Sequence, residues 1–124
     1  MEILALLILF QLKHYYADFV IQTYMQTVKK GVWLHPCGIS HSLDHLWTTL
    51  LVLLIFSVFI HPISVGTILL VGLIEGIIHY IIDFTKVKYG IKDMTKPLFW
   101  NQFGLDQVAH QITYILIAAY LLLL

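Results

Sequence analysis

The sequence predicts an all-α integral membrane protein, a four-helix bundle running up-down-up-down, and three observations carry that reading. First, the chain is too apolar for water. Of its 124 residues, 60% are hydrophobic and 11% charged, against roughly 45–50% and about 25% in ordinary globular domains. A protein this small buries a limited share of its surface and cannot hide so much apolar side chain; the mean hydropathy of +0.87 agrees. Second, four segments approach the roughly 20 helical residues that cross a bilayer core of about 30 Å. Third, ionisable residues interrupt those segments at i,i+4 spacing, the period of one helix face, and barrel-strand alternation is absent.

The first span covers about 3–26 and ends before Lys29-Lys30-Gly31. The second covers about 40–60 and stops at His61-Pro62; the third covers about 63–84 and precedes the lysine-rich stretch 86–96. The fourth covers about 104–124 and closes on a run of leucines. Each span must be helical, because no water within the bilayer satisfies backbone polar groups. With no internal repeat or low-complexity segment, residues 1–124 read as a single transmembrane domain. Gly72-x3-Gly76 offers small residues for close helix contact in the third span. Met1-Glu2-Ile3 lacks a positively charged leader region, so a cleavable signal peptide is not expected. The single Cys37 excludes a disulfide framework within one chain.

All seven basic residues are lysines. Six of them, Lys29, Lys30, Lys86, Lys88, Lys92 and Lys96, fall in the first and third connections, and none in the second. By the positive-inside rule those connections face the cytoplasm and both termini face away from it, with a bacterial inner membrane as the expected location. Trp33 and Trp100 suit interfacial anchors. Residues 89–103 mix lysine with aromatic side chains and read as a headgroup-level lid. His35 and Cys37 read as loop residues, and His61 as remote from any site.

The polar residues carry the functional signal. Histidine equals the carboxylates in number, seven each. The spans contain His14 and Asp18; His41, Asp44 and His45; His79 and Asp83, with Glu75 one turn earlier; and Asp106 and His110. Ionisable groups in a span normally face a bundle interior or a wet cavity. In an up-down-up-down bundle all these positions share the cytoplasmic level, so they read as one convergent site. His14, Asp18, His41, His45, His79, Asp83, Asp106 and His110 form the metal-ligand pool. Such ligands suit a divalent metal, zinc first with manganese or iron as alternatives, and their number allows one ion or two. Asp44 and Asp106 are the candidate catalytic carboxylates. Glu75, Gln22, Gln107 and Lys86 are the candidate supports around the ligands. Lys86 can neutralise Asp83, meet an anionic substrate or snorkel to the interface. Lys13, inside the first span, requires an ion pair or a hydrated cavity.

His14-x3-Asp18-Phe19, Gln22-Thr23, His41, His79-x3-Asp83 and Gly104-Leu105-Asp106-Gln107-x2-His110 together resemble a domain-of-unknown-function family of small bacterial and phage multi-span membrane proteins. The resemblance covers nearly the whole chain and implies a membrane protein without supplying an activity. Ile39-Ser40-His41-Ser42-Leu43 is more loosely similar to membrane-bound metal-dependent hydrolases, without the arginine of that pattern.

The expected function is a membrane-embedded metal-dependent hydrolase acting on a lipid-linked or phosphorylated substrate. Membrane lipid is its surrounding partner, and a homo-oligomer is open to it. Zero net charge argues against nucleic acid. The alternatives are non-enzymatic metal or ion transport and a purely structural or interaction role for the polar network.

Overall fold

The computed structural model describes residues 1–123, and the expected end of the fourth span at Leu124 lies outside them. The described residues are helical without a strand: α1 (Glu2–Tyr15), a π-helical turn (Tyr16–Val20), α2 (Tyr24–Lys29), α3 (Pro36–Phe59), α4 (Val65–Tyr89) and α5 (Pro97–Leu123). Among the described residues, three segments are long and apolar enough to cross a membrane: Glu2–Val20, Pro36–Phe59 and Val65–Tyr89. α5, of similar length, carries Asp106, Gln107, His110 and Gln111 within it.

The helix limits differ from those expected, for local reasons. The first span does not continue to residue 26. It ends at Val20, the chain turns at Ile21–Thr23, and Thr23 starts α2 with a capping box, its side chain accepting from Gln26 N while Gln26 Oε1 accepts from Thr23 N. α3 begins four residues early because Pro36 occupies its first turn and the His35 side chain caps Cys37 N. His35 and Cys37 therefore belong to a helix start and not to a loop. α4 starts behind the Ser64 cap, which accepts from Thr67 N, and runs to Tyr89. Residues 97–103, expected within a lid, are the first turns of α5. In the short connection before them, hydrogen bonds from the Thr95 hydroxyl and backbone hold the Asp93 carboxyl below the ordinary carboxylate range.

The four long helices form a closed ring in which α1 touches α3 and α5, and α4 touches α3 and α5. The α3–α4 contact is close: a Cβ on Gly72 would stand 2.6 Å from Leu50 Cδ2. Ser42 Oγ donates to Gly76 O at 2.6 Å across the same seam.

The interior has two layers. One is apolar and combines Leu6 and Phe10 of α1 with Val52, Leu53 and Phe56 of α3, Ile68 and Val71 of α4, and Ile117, Ala118 and Leu121 of α5. The other is polar and draws on the C-terminal halves of α1 and α4 and the N-terminal halves of α3 and α5. Twelve polar or charged residues are buried beside twelve hydrophobic ones among the described residues, while Leu4, Ile8, Leu51, Leu54, Leu69, Leu73, Ile112 and Leu116 are exposed. A water-soluble fold buries charged groups rarely. This partition suits an apolar solvent outside and a polar centre within.

Candidate metal centre

The centre begins with a departure from the α-helix. After Tyr15 the chain widens into the π turn, where Ile21 N donates to Tyr16 O at 3.1 Å, an i→i+5 bond. Such turns recur at functional sites because they re-aim one side chain without ending the helix. Here the turn carries Asp18, whose Oδ2 lies 3.2 Å from His14 Nε2 on the preceding turn.

Asp18 Oδ1 faces three imidazoles on two other helices. It lies 2.8 Å from His45 Nε2, 3.0 Å from His41 Nε2 and 3.8 Å from His79 Nε2. The Nε2 atoms of His41 and His79 are 3.2 Å apart, and each is 3.2 Å from Asp83 Oδ2. His110 Nε2 completes the far side, 3.7 Å from Asp83 Oδ1 and 3.7 Å from Asp106 Oδ1. Two groups, Asp18–His41–His45–His79 and His79–Asp83–His110, each offer ligand atoms within 4.8 Å of one another and can hold a metal ion, with His79 shared. Ligand atoms around a tetrahedral ion with bonds of about 2.0–2.1 Å stand roughly 3.3 Å apart, and the separations here bracket that value. Three buried atoms of the cluster, His79 Nδ1, His110 Nε2 and Asp106 Oδ1, have no hydrogen-bond partner.

The charges around the centre are paired in an informative way. Lys13 Nζ is 2.7 Å from Glu75 Oε1, Lys30 Nζ is 2.7 Å from Asp83 Oδ2, and Lys86 Nζ is 2.8 Å from Asp106 Oδ2. Asp18 is the remaining carboxylate of the cluster, and its described neighbours are histidines. No lysine lies within ion-pair distance of Asp18 among the described residues, whereas Glu75, Asp83 and Asp106 each have one. Lys13 also sits 3.0 Å from His45 Nδ1. An ammonium only donates, so that nitrogen accepts and the ring proton lies on Nε2, given to Asp18.

The supports fall into place around this core. Gln22 Nε2 approaches His41 Nε2 at 2.8 Å, and Gln107 Oε1 stands 3.1 Å from His14 Nε2 while its Nε2 donates to Asp106 Oδ2 at 3.1 Å. Glu75 accepts from Lys13 and from Thr49 Oγ1 at 3.0 Å, one layer below the histidines. Lys13 thus has the ion pair its position required. Lys86 neutralises Asp106, not Asp83. The cation on Asp83 is Lys30, read from sequence only as a loop charge and in fact buried. His14 touches Asp18 but stands outside both ligand groups. Asp44 stands apart altogether: its carboxylate accepts from Gln26 Nε2 at 2.8 Å and touches none of the histidines' ring nitrogens. Sequence reasoning also passed over Tyr114, whose hydroxyl lies 3.0 Å from His14 Nδ1 and 3.4 Å from Glu75 Oε1. A Tyr at i+4 from His110 in the fourth span was the signal available.

A cavity of about 630 Å³ opens beside the centre, with Asp18, Asp83 and Asp106 in its wall. The chain thus holds a buried His/Asp cluster with a roomy approach. No curated protein and no solved structure matches the sequence. Residues 6–124 match the family described as "Protein of unknown function (DUF3307)", to which this chain belongs.

Proposed function

We propose that this chain is a membrane-embedded metal-dependent hydrolase. In this reading all four long helices cross the membrane, up-down-up-down, with the centre at the cytoplasmic end and the substrate lipid-linked or phosphorylated. The observation that carries it is the convergence of His41, His45, His79 and His110 on Asp18 and Asp83 beside a cavity. Zinc, as one ion or two, would lower the pKa of a water and polarise the attacked phosphorus. Asp18, His41 and His79 would hold one ion, with Asp83 and His110 available for another.

Asp106 is the base in this scheme, because the residue lines the cavity and its Oδ1 has no hydrogen-bond partner. Water oxygen bonds to phosphorus, and its proton passes to Asp106 Oδ1. The bond from phosphorus to the ester oxygen then breaks, and the proton moves to that leaving oxygen, giving phosphate and a free alcohol. Asp44, tied to Gln26, takes no part. The apolar layer supports a pocket over a pore: beyond the cluster, the buried described side chains are hydrophobic until the exposed Glu2–His61 pair.

The test is phosphate release by zinc-loaded protein from soluble and lipid-bearing phosphomonoesters. Asp106→Asn is expected to slow turnover by about 10²–10⁴-fold with unchanged metal content, and Asp44→Asn to leave it intact. Zinc flux into liposomes without any hydrolysis would replace this reading with transport.

A further inference from the structure

The charge and lining of the cavity narrow the substrate class. The cavity wall holds three lysines, Lys30, Lys86 and Lys92, against three carboxylates, Asp18, Asp83 and Asp106. The lining is therefore neutral by itself, and each divalent ion bound at the centre would leave it net positive. An anionic head group is what such a wall attracts. Much of the remaining wall is apolar: Phe19 and Val28 come from the π turn and α2, Val87 from α4, and Phe99 and Phe103 from α5. Phe19, Val28 and Phe99's neighbours Leu98 and Trp100 are also exposed at the rim, where a bilayer interface would meet them. Lys86 Nζ lies 4.6 Å from the centre of the Phe103 ring, so the charged and apolar parts of the wall adjoin. A volume near 630 Å³ is within the range of pockets that enclose a small ligand.

We infer that the cavity binds one phosphate-headed amphiphile, its phosphate toward the metal centre and Lys92 and its chain along Phe19, Val28 and Phe103. The inference rests on the metal reading above and deepens it: the ligand is at once phosphorylated and lipid-like, and it enters from the membrane side. A soluble phosphate would use only half of this wall, and a neutral or cationic lipid would meet the wrong charge.

Binding tests it with defined probes. Zinc-loaded protein held in an amphipathic polymer is titrated with dodecyl phosphate, inorganic phosphate and dodecyltrimethylammonium, and zinc is quantified on the same sample. Dodecyl phosphate is expected to bind on the order of a hundredfold more tightly than inorganic phosphate, the factor that about four buried methylene groups supply. Dodecyltrimethylammonium is expected to bind no more tightly than inorganic phosphate. Val28→Trp, which fills the apolar part of the cavity, should bring dodecyl phosphate close to inorganic phosphate without changing zinc content. Equal binding of dodecyl phosphate and inorganic phosphate overturns the inference in favour of a free-phosphate site. Equal binding of the two amphiphiles overturns it in favour of an uncharged groove. Bound zinc with no phosphate binding overturns this inference alone, whereas protein without zinc removes the metal centre and the inference with it.

Discussion

Asp83 is a buried and Asp18 a largely buried carboxylate, both facing histidines, yet they are balanced differently, and the difference predicts how they respond to substitution. Asp83 has Lys30 at 2.7 Å. Lys30→Met leaves that carboxylate without its cation and is expected to lower stability by about 3–5 kcal/mol, as removal of one partner of a buried pair does. Lys30→Met combined with Asp83→Asn should recover most of the loss, since no stranded charge remains; thermal unfolding of the single and double variants in detergent checks both. The residues of the centre were legible to different degrees. Histidines and carboxylates stand out in an apolar span because burying them is costly. Lys30 was not legible, because a lysine after a span looks like any interfacial charge until the chain folds it back onto α4. Thr49 and Tyr114 were silent for the same reason: a hydroxyl or a ring in a membrane helix is ordinary until its partner is known.

At the scale of elements, the four long helices were visible as apolar runs, but their limits were set by backbone chemistry that hydropathy does not register. Pro36 and the His35 cap start α3 before its apolar run, and the Thr23 capping box separates α2 from α1. The π turn was hidden, since His14 and Asp18 stand four apart whether or not the helix widens between them. The Gly72-x3-Gly76 spacing, by contrast, did mark a close seam, and it yields a sharp contrast between two glycines of α4. Gly72→Leu places side chain against Leu50 and is expected to cost about 1–3 kcal/mol as overpacking. Gly66→Leu meets only Ser64 Oγ, at 3.9 Å from its Cβ, and should leave the unfolding temperature unchanged. Equal effects at the two positions would contradict the packing described for α3 and α4.

At the scale of the whole molecule, charged groups share the interior with an apolar layer while many leucines and isoleucines are exposed, an inversion relative to a soluble bundle. That inversion follows from composition, which is why fold class was the most legible property; which helix faces meet was not, because it depends on contacts between residues as far apart as Lys13 and Tyr114. The lysine asymmetry makes a topological prediction that the single native cysteine can report. Cys37, partly buried at the start of α3, should react with a membrane-impermeant maleimide in inverted inner-membrane vesicles and not in intact spheroplasts. His61→Cys in a Cys37→Ser background should show the reverse, and labelling of both from one side would overturn the up-down-up-down reading. The central claim is that the buried cluster holds a divalent ion whose charge balances Asp18. Elemental analysis of protein purified without chelator addresses it directly. One or two zinc, manganese or iron ions per chain are expected, falling by at least one ion in a folded Asp18→Asn variant; metal-free wild-type protein, or unchanged metal in Asp18→Asn, would contradict it.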